Sequence, residues 1–581
     1  MKKITAYENI DNRHEWGDNT ICVVHREVLM RRVYKLFVAA VVLAMLLGAT
    51  ATVFASGEQE AMTEEQYREV AEEVAATIDP DRSVLSEEEM IEELMWFAQA
   101  AEPYRGQTIR ASYESVPLTD WEAENLAPLF EQLTGINVQI EGVAGDETMR
   151  SMRMEAETKQ GAYDTISIDQ DMVGFFTYNG GVLDLTEFME ENPEITSPTL
   201  DLEDYSSNMI CRNALNGNLL ILADYQKPVG TVYRKDWFTD PENKAAFEEE
   251  YGYELKTPMQ WYLEAKESGN VEDDWTFEKS LDVAEFFTRP EENMWGTIIG
   301  QKNAWHLAWY FNDVMDQAAG LGSKTKGPPL TTEPPAARPY SWVYGVKYAE
   351  DGETILGSHT SRGGRLNGPR GVEALKYVHF DLAQYSPSKI KEIGAVEAYV
   401  QFGVEGNYAF NHQHLIFYPT YNGPDSAIKG KYEVSPVPVS EKYFEYGMVR
   451  GYWDAEGWVI TEGSKHPEAT WLFAQFMTSK SVSVWKNLNG IMPIRYSTIN
   501  SPQFEAMDEE LGGHVSLLQN EDFIEVQAGT DELWPGFPDT NEPVSTAIAE
   551  ALGQDMSPQE MADLVAERLD QFLIDKGYIE E

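Results

Sequence analysis

From Thr108 onward the chain alternates short apolar runs with amphipathic stretches, and no other feature narrows the fold so far. Thr108–Tyr113 has the composition of a strand, Glu114–Leu118 that of a loop, and Asp120–Thr134 the apolar spacing of a helix closed by Gly135. A strand at Ile136–Ile140, a helix at Glu147–Gln160 and a strand at Asp164–Ile168 follow, the last leading into Asp169-Gln170-Asp171. Strands separated by helices of roughly 10–15 residues form βαβ units, so an α/β fold with a mainly parallel sheet is expected. Ligands of such sheets sit beyond the carboxyl ends of the strands. Topology alone therefore puts Tyr113, Glu114 and Asp169 at the edge of a crevice.

Later segments extend the pattern. Strands are predicted at Val229–Tyr233, Thr297–Gly300, His414–Tyr418 and Trp458–Ile460, and helices at Gly371–Gln384, Ala395–Phe402, Pro467–Thr478 and Pro558–Leu573. A proline-rich loop occupies residues 320–340. There is no internal repeat. At 581 residues the chain is too long for one core and calls for two or three units. Ahead of the α/β body, Met62–Ala101 reads as an acidic helical extension. Its second helix starts at Ser86, with Glu89 three residues on completing a capping box, and Pro103 ends it.

The N-terminal region predicts export. Arg31, Arg32 and Lys35 precede an apolar block from Leu36 to Gly48, and Val53-Phe54-Ala55 forms a signal-peptidase site before Ser56. Met30 is the expected start of translation, with residues 1–29 fitting no export signal. The alternative is a membrane anchor over Leu36–Phe54, but the 13-residue apolar block is shorter than a bilayer core requires. Beyond Ser56 only Cys211 remains, so no intrachain disulfide can form. Residues 1–55 hold seven basic and five acidic side chains, so their removal takes the net charge from −54 to −56. Such a surface repels phosphate backbones, which excludes nucleic acid as a partner.

Several motifs, in one order along the chain, resemble the family 1 extracellular solute-binding proteins, the sugar and polyol receptors of ABC importers. They are Tyr233-Arg234-Lys235-Asp236-Trp237-Phe238, then Phe402-Gly403-Val404-Glu405-Gly406-Asn407-Tyr408-Ala409, then Gly457-Trp458-Val459-Ile460 leading to Lys465-His466-Pro467-Glu468-Ala469. Gly490-Ile491-Met492-Pro493-Ile494-Arg495 follows. The resemblance covers roughly residues 106–575. Within the family the long glycerol-binding receptors are the most similar, on Ser361-Arg362-Gly363-Gly364 followed by Asn367-Gly368-Pro369 and on the leader helix Leu85–Trp96.

The resemblance implies a two-lobed periplasmic-binding-protein fold of type II, with strands crossing a hinge and closure around the ligand. It places residues 106–226 and about 419–480 in lobe one, and 227–418 and about 481–581 in lobe two. The crossings then fall near Tyr225-Gln226-Lys227 and Phe417-Tyr418-Pro419. It further implies a periplasmic or extracellular monomer that delivers a small neutral carbohydrate or polyol to ABC permease subunits, with no cofactor and no catalytic residue.

A polyol needs aromatic faces for its C–H surfaces and carboxylate, amide or cationic groups for its hydroxyls. Loop and strand-end positions with that chemistry are Tyr113, Glu114, Asp169, Tyr225, Lys227, Trp305, His306, Tyr421, Asn422, Trp453 and Asp454. For any one aromatic taken alone, ordinary core packing is the competing reading. The segment Gly536–Val544 supplies one ring, Phe537, which suits a small ligand better than an oligosaccharide. His412-Gln413-His414 lacks a second ligand pair at metal-site spacing, so no metal is expected. The loop Ser361–Gly371 carries three arginines, without phosphate-loop spacing, and reads as a lead-in to the next helix. The enzyme alternative is glycoside hydrolysis by a carboxylate pair such as Glu114 and Asp169, or Asp454 and Glu456. A chain with 98 acidic residues produces such pairs inevitably, and no nucleophile motif accompanies them.

Overall fold

The computed structural model describes residues 62–580, except 207–210, 214–215, 303–306, 310–318, 322–339, 342, 352–353, 444–449, 521–522 and 524–536. The export segment, the proline-rich loop, Trp305 and His306 lie outside the described residues.

Two helices, α1 (Glu64–Ile78) and α2 (Glu87–Ala100), form the extension, and both carry reciprocal capping boxes: Thr63 with Gln66, and Ser86 with Glu89. Their apolar stripes (Val74 and Ile78, Met90, Leu94 and Phe97) are buried in the first core. Glu93 is buried too. It accepts hydrogen bonds from Thr199 Oγ1 (2.5 Å), Ser481 N (2.8 Å) and Ser481 Oγ (2.5 Å), which fastens the extension to distant segments of the body.

The α/β run appears as read: β1 (Thr108–Glu114), α3 (Pro117–Thr134), β2 (Asn137–Val143), α4 (Gly145–Thr158) and β3 (Thr165–Asp169). Gly135 closes α3 with φ at 69°, a left-handed conformation that glycine adopts without a Cβ clash. Strand β1 pairs in parallel with both β2 and β3. The remaining strands of this sheet are β4 (Leu222–Arg234), β5 (Phe410–His414), β6 (Tyr432–Ser435) and β7 (Trp453–Ile460). They make the sheet mixed, not mainly parallel. Its order is β2-β1-β3-β7-β4-β5, with β6 also on β4, and every pairing beyond β3 is antiparallel.

Strand β4 organises the molecule. Leu222–Pro228 pairs with β7, whereas Val229–Arg234 pairs with β5 and β6. One apolar core packs on Leu222, Ala223, β1, β3 and β7; a second begins at Val229 and Tyr233 on the same strand. The first core is not confined to one half, because Val232, Phe402, Tyr421 and Val434 also belong to it.

Three sequence expectations require correction. The strand expected at His414–Tyr418 lies earlier, at Phe410–His414; Leu415–Phe417 is a 3-10 turn and Tyr418–Asn422 a short helix with Pro419 in its first turn. No strand therefore crosses at Phe417-Tyr418-Pro419. Thr297–Gly300 forms no strand, although the neighbouring Trp295 bridges Tyr408. Residues between Val482 and Phe523, grouped with the second half on sequence grounds, bury their side chains in the first core. There Lys486 pairs with Glu122 (2.6 Å) and Asp224, and Asp224 also accepts from Trp458 Nε1 at 3.1 Å.

Candidate functional site

Strand β4 passes from one half to the other just beyond the carboxyl end of β3, opposite the start of β7. Lys227 is in register with Asp454, and Asp169 with Glu456. Alternation along β7 sends Asp454 and Glu456 to the same face, and all these side chains converge. The Lys227 ammonium donates to Asp169 Oδ2 and lies 3.0 Å from Asp454 Oδ2 and 3.7 Å from Glu456 Oε2. Tyr225 donates its hydroxyl to Glu456 Oε2, and Ser167 Oγ donates to Oε1 at 3.1 Å. Next to Asp169, Asp171 accepts from Tyr452 at 2.5 Å, and Gln170 Nε2 donates to the Trp453 carbonyl at 3.1 Å. Glu114 packs its carboxylate against Gly145 at the start of α4, where a Cβ would lie 2.5 Å from Oε1.

Carboxylates outnumber the single ammonium, and the proton affinities reflect it. For Lys227, burial favours the neutral form, but Asp169, Asp454 and Glu456 outweigh it and hold the amine well above its usual range. Burial also pushes Asp169 up, yet Lys227 wins and keeps it ionised, below the usual carboxylate range. Asp171 and Asp454 are raised by burial and then by the Asp169 charge. Glu456 is raised by burial to about 7, with Lys227 opposing and Glu114 adding to the rise. The crossing thus takes up or gives up protons near neutrality. Oxygens of Asp169, Asp171 and Asp454 lie within 4.8 Å of one another, close enough to surround a cation, but the Lys227 ammonium already touches two of the three carboxylates.

Of the residues singled out in the sequence, Asp169, Tyr225, Lys227 and Asp454 meet here, with Glu114 near enough to act on Tyr225 and Glu456 electrostatically. The others go elsewhere. Tyr113 donates to Asp120 at 2.9 Å, on the β1–α3 side. Tyr421 is fully buried and accepts from Gln413, and Asn422 donates to the Tyr432 hydroxyl at 2.9 Å. Trp453 is wholly buried, its ring 6.0 Å from Phe523, so it packs in the core and presents no open face. Sequence reasoning missed Tyr452 and Ser167. It noted Glu456 only as half of an acid pair; its position two residues after Asp454 on a strand was the available signal.

Two further motifs have structural explanations. His412 faces Thr231 Oγ1 (2.9 Å) and the Tyr377 hydroxyl (3.2 Å), and His414 Nδ1 meets the Lys227 carbonyl (3.2 Å). Burial lowers the two rings to about 3 and about 4, so both are neutral at physiological pH. The arginine-rich loop docks on the C-terminal helix. Asp570 accepts from Ser358 N (2.6 Å), Ser358 Oγ (2.8 Å) and His359 N (3.1 Å), while the Arg365 guanidinium stacks 3.6 Å over the Tyr340 ring.

The same architecture recurs in solved structures. An ABC transporter solute-binding protein from Agrobacterium vitis with bound D-mannitol superposes with a TM-score of 0.59 at 14% identity, covering 81% of this chain and 99% of that one. The solute-binding protein of Agrobacterium radiobacter in complex with ribitol gives 0.57 at 18%, covering 81% and 99%. Maltose-bound MalE3 of Thermotoga maritima gives 0.57 at 16%, covering 81% and 100%. The fold is therefore the two-lobed α/β architecture of periplasmic binding proteins, as the motifs implied. Residues 117–483 match the family described as bacterial extracellular solute-binding protein, well over half of the chain. The chain belongs to that family of bacterial extracellular solute-binding proteins.

Proposed function

We propose that the protein is an exported receptor that binds a small polyol or sugar at the β4 crossing and delivers it to an ABC importer without chemical turnover. One observation carries this reading: Lys227, Asp169, Asp454 and Glu456 gather where a strand shared by both halves passes the carboxyl ends of β1 and β3. The chemistry suits hydroxyl groups. Asp454 Oδ1 and Gln170 Oε1 are buried acceptors that receive no hydrogen bond among the described residues, and ligand hydroxyls can supply the donors. Relatives of the same fold carry ribitol and D-mannitol, which supports a polyol of that size. A glycerol-like ligand remains within the same proposal. Closure would bend β4 near Pro228, which contributes no N–H to the ladder, and near the register shift at Ala223/Tyr225.

The test starts with the protein as purified from its host. Ligand released by denaturation is identified by mass spectrometry and titrated back calorimetrically into wild type and Asp169→Asn. Recovery of an unchanged polyol or sugar whose affinity falls at least tenfold in the variant supports the reading. Product formation from that solute, or equal affinity in the variant, refutes it.

A further inference from the structure

The two halves also meet away from the β4 crossing. Helix α4 belongs to the first core through Met152 and Ala156, whereas α5 (Phe537–Gly553) belongs to the second through Val544, Ala547, Ile548 and Ala551. Arg153 on α4 reaches across and pairs with Asp539 in the first turn of α5. We infer that Arg153 and Asp539 form a latch that holds the two lobes closed over the ligand crevice. The inference rests on the receptor reading above for its role, but not for its geometry.

Three features make this pair a device for closure and not a surface ion pair. First, both side chains are largely shielded, at 27% and 23% exposure, so salt screens them less than open surface charges. Second, the pair has a different anchor on each side. Asp539 stands at the amino end of a long helix, where the dipole favours a carboxylate in either state of the lobes. Arg153 Nε is buried and has no acceptor among the described residues, a cost that opening would relieve by rehydration. The closed arrangement therefore balances one ion pair against one orphaned donor, and such a balance is readily tipped. Third, the latch is joined to the site. The 3-10 turn Gln170–Met172 also packs against α5, and that turn is flanked by Asp169 and contains Asp171. A ligand that engages these carboxylates fixes the turn against which α5 closes.

Small-angle scattering of the purified protein tests the latch without knowledge of the ligand. Arg153→Glu, Asp539→Arg and the double charge swap are compared with wild type, together with Arg153→Lys as a conservative control. Melting curves establish that each is folded. The single reversals should open the lobes and raise the radius of gyration by about 1 Å. The swap should return it to the wild-type value, and Arg153→Lys should stay close to wild type. Folded single reversals that scatter like wild type would overturn the latch, as would a swap that stays open. Loss of the solute reading would show instead as failure to recover any polyol or sugar, with the scattering differences unchanged.

Discussion

Replacing Glu456 with glutamine separates the charge of this side chain from its shape. Glu456 is buried, accepts hydrogen bonds from Tyr225 and Ser167, and lies 3.7 Å from the Lys227 ammonium. Glutamine retains an acceptor for Tyr225, and the Ser167 hydroxyl can turn to accept from the new amide. Lys227 keeps Asp169 and Asp454. The carboxyl titrates at about 7 in the folded protein, against an ordinary value of 4.5, chiefly because it is buried. Between those values the folded chain binds the proton and the unfolded chain has lost it. Stability from this group is therefore complete below pH 4.5 and falls as pH rises to about 7. At 1.36 kcal/mol per pH unit the loss is about 3 kcal/mol, an upper figure because Asp171 and Asp454 share the same protons. Glu456→Gln removes that loss. Urea unfolding of both proteins from about pH 4.5 to 8.5 should show equal stability at the acid end. The variant should gain up to about 3 kcal/mol by pH 8. A difference that does not vary with pH, or that favours wild type at pH 8, would refute the assignment.

Lys227→Met leaves Asp169, Asp454 and Glu456 without their cation and should cost about 3–5 kcal/mol at pH 8 but clearly less at pH 5, measured by the same unfolding series. Adding Asp169→Asn should recover part of the loss. Glu93→Ala strips three hydrogen bonds from the clasp of the extension and should lower stability by about 2–3 kcal/mol, read as an earlier melting transition. Asp570→Asn weakens the seat of the Ser358–His359 loop, and limited proteolysis should then cut near Arg362 at least several-fold faster. With a net charge of −54, the melting temperature should rise between about 0.05 and 1 M NaCl; a flat response would show that self-repulsion contributes nothing.

Local rules read the first half of the body well because its elements are locally determined. The Ser86–Glu89 box, the Gly135 terminus and the β1–α3–β2–α4–β3 alternation involve neighbours in sequence. They failed where tertiary partners override local polarity. Strand β4 begins at Leu222, yet only Val229–Tyr233 looked like a strand, because Asp224, Gln226 and Lys227 suggest a loop. Asp224 and Lys227 are buried by partners more than 200 residues away: Trp458 and Lys486 on Asp224, and Asp454 on Lys227. The same effect moved the expected strand from Asn411–His414, polar but buried, onto the more apolar Leu415–Tyr418. At the site, the strand-end rule located Asp169, and hydroxyl-binding chemistry selected Tyr225, Lys227 and Asp454. The same chemistry also chose Trp453, Tyr421 and Tyr113, since nothing in a sequence separates a ring that meets ligand from a ring that fills a core.

The position of β7 sets a timetable for folding. This strand lies between β3 and β4 in the sheet, yet it is the last of the seven to emerge in sequence, pairing Thr165 with Ile460. Until residue 460 is available, β3 and β4 cannot be bridged, and the facing carboxylates of the crossing have no strand to carry them. Contacts spanning some 300 residues close slowly, because the entropy of a long loop is lost before any pairing repays it. A chain that lacks β7 therefore keeps two unpaired strand edges, one on β3 and one on β4. A sheet assembled around a late central strand is completed only once residue 460 is in place.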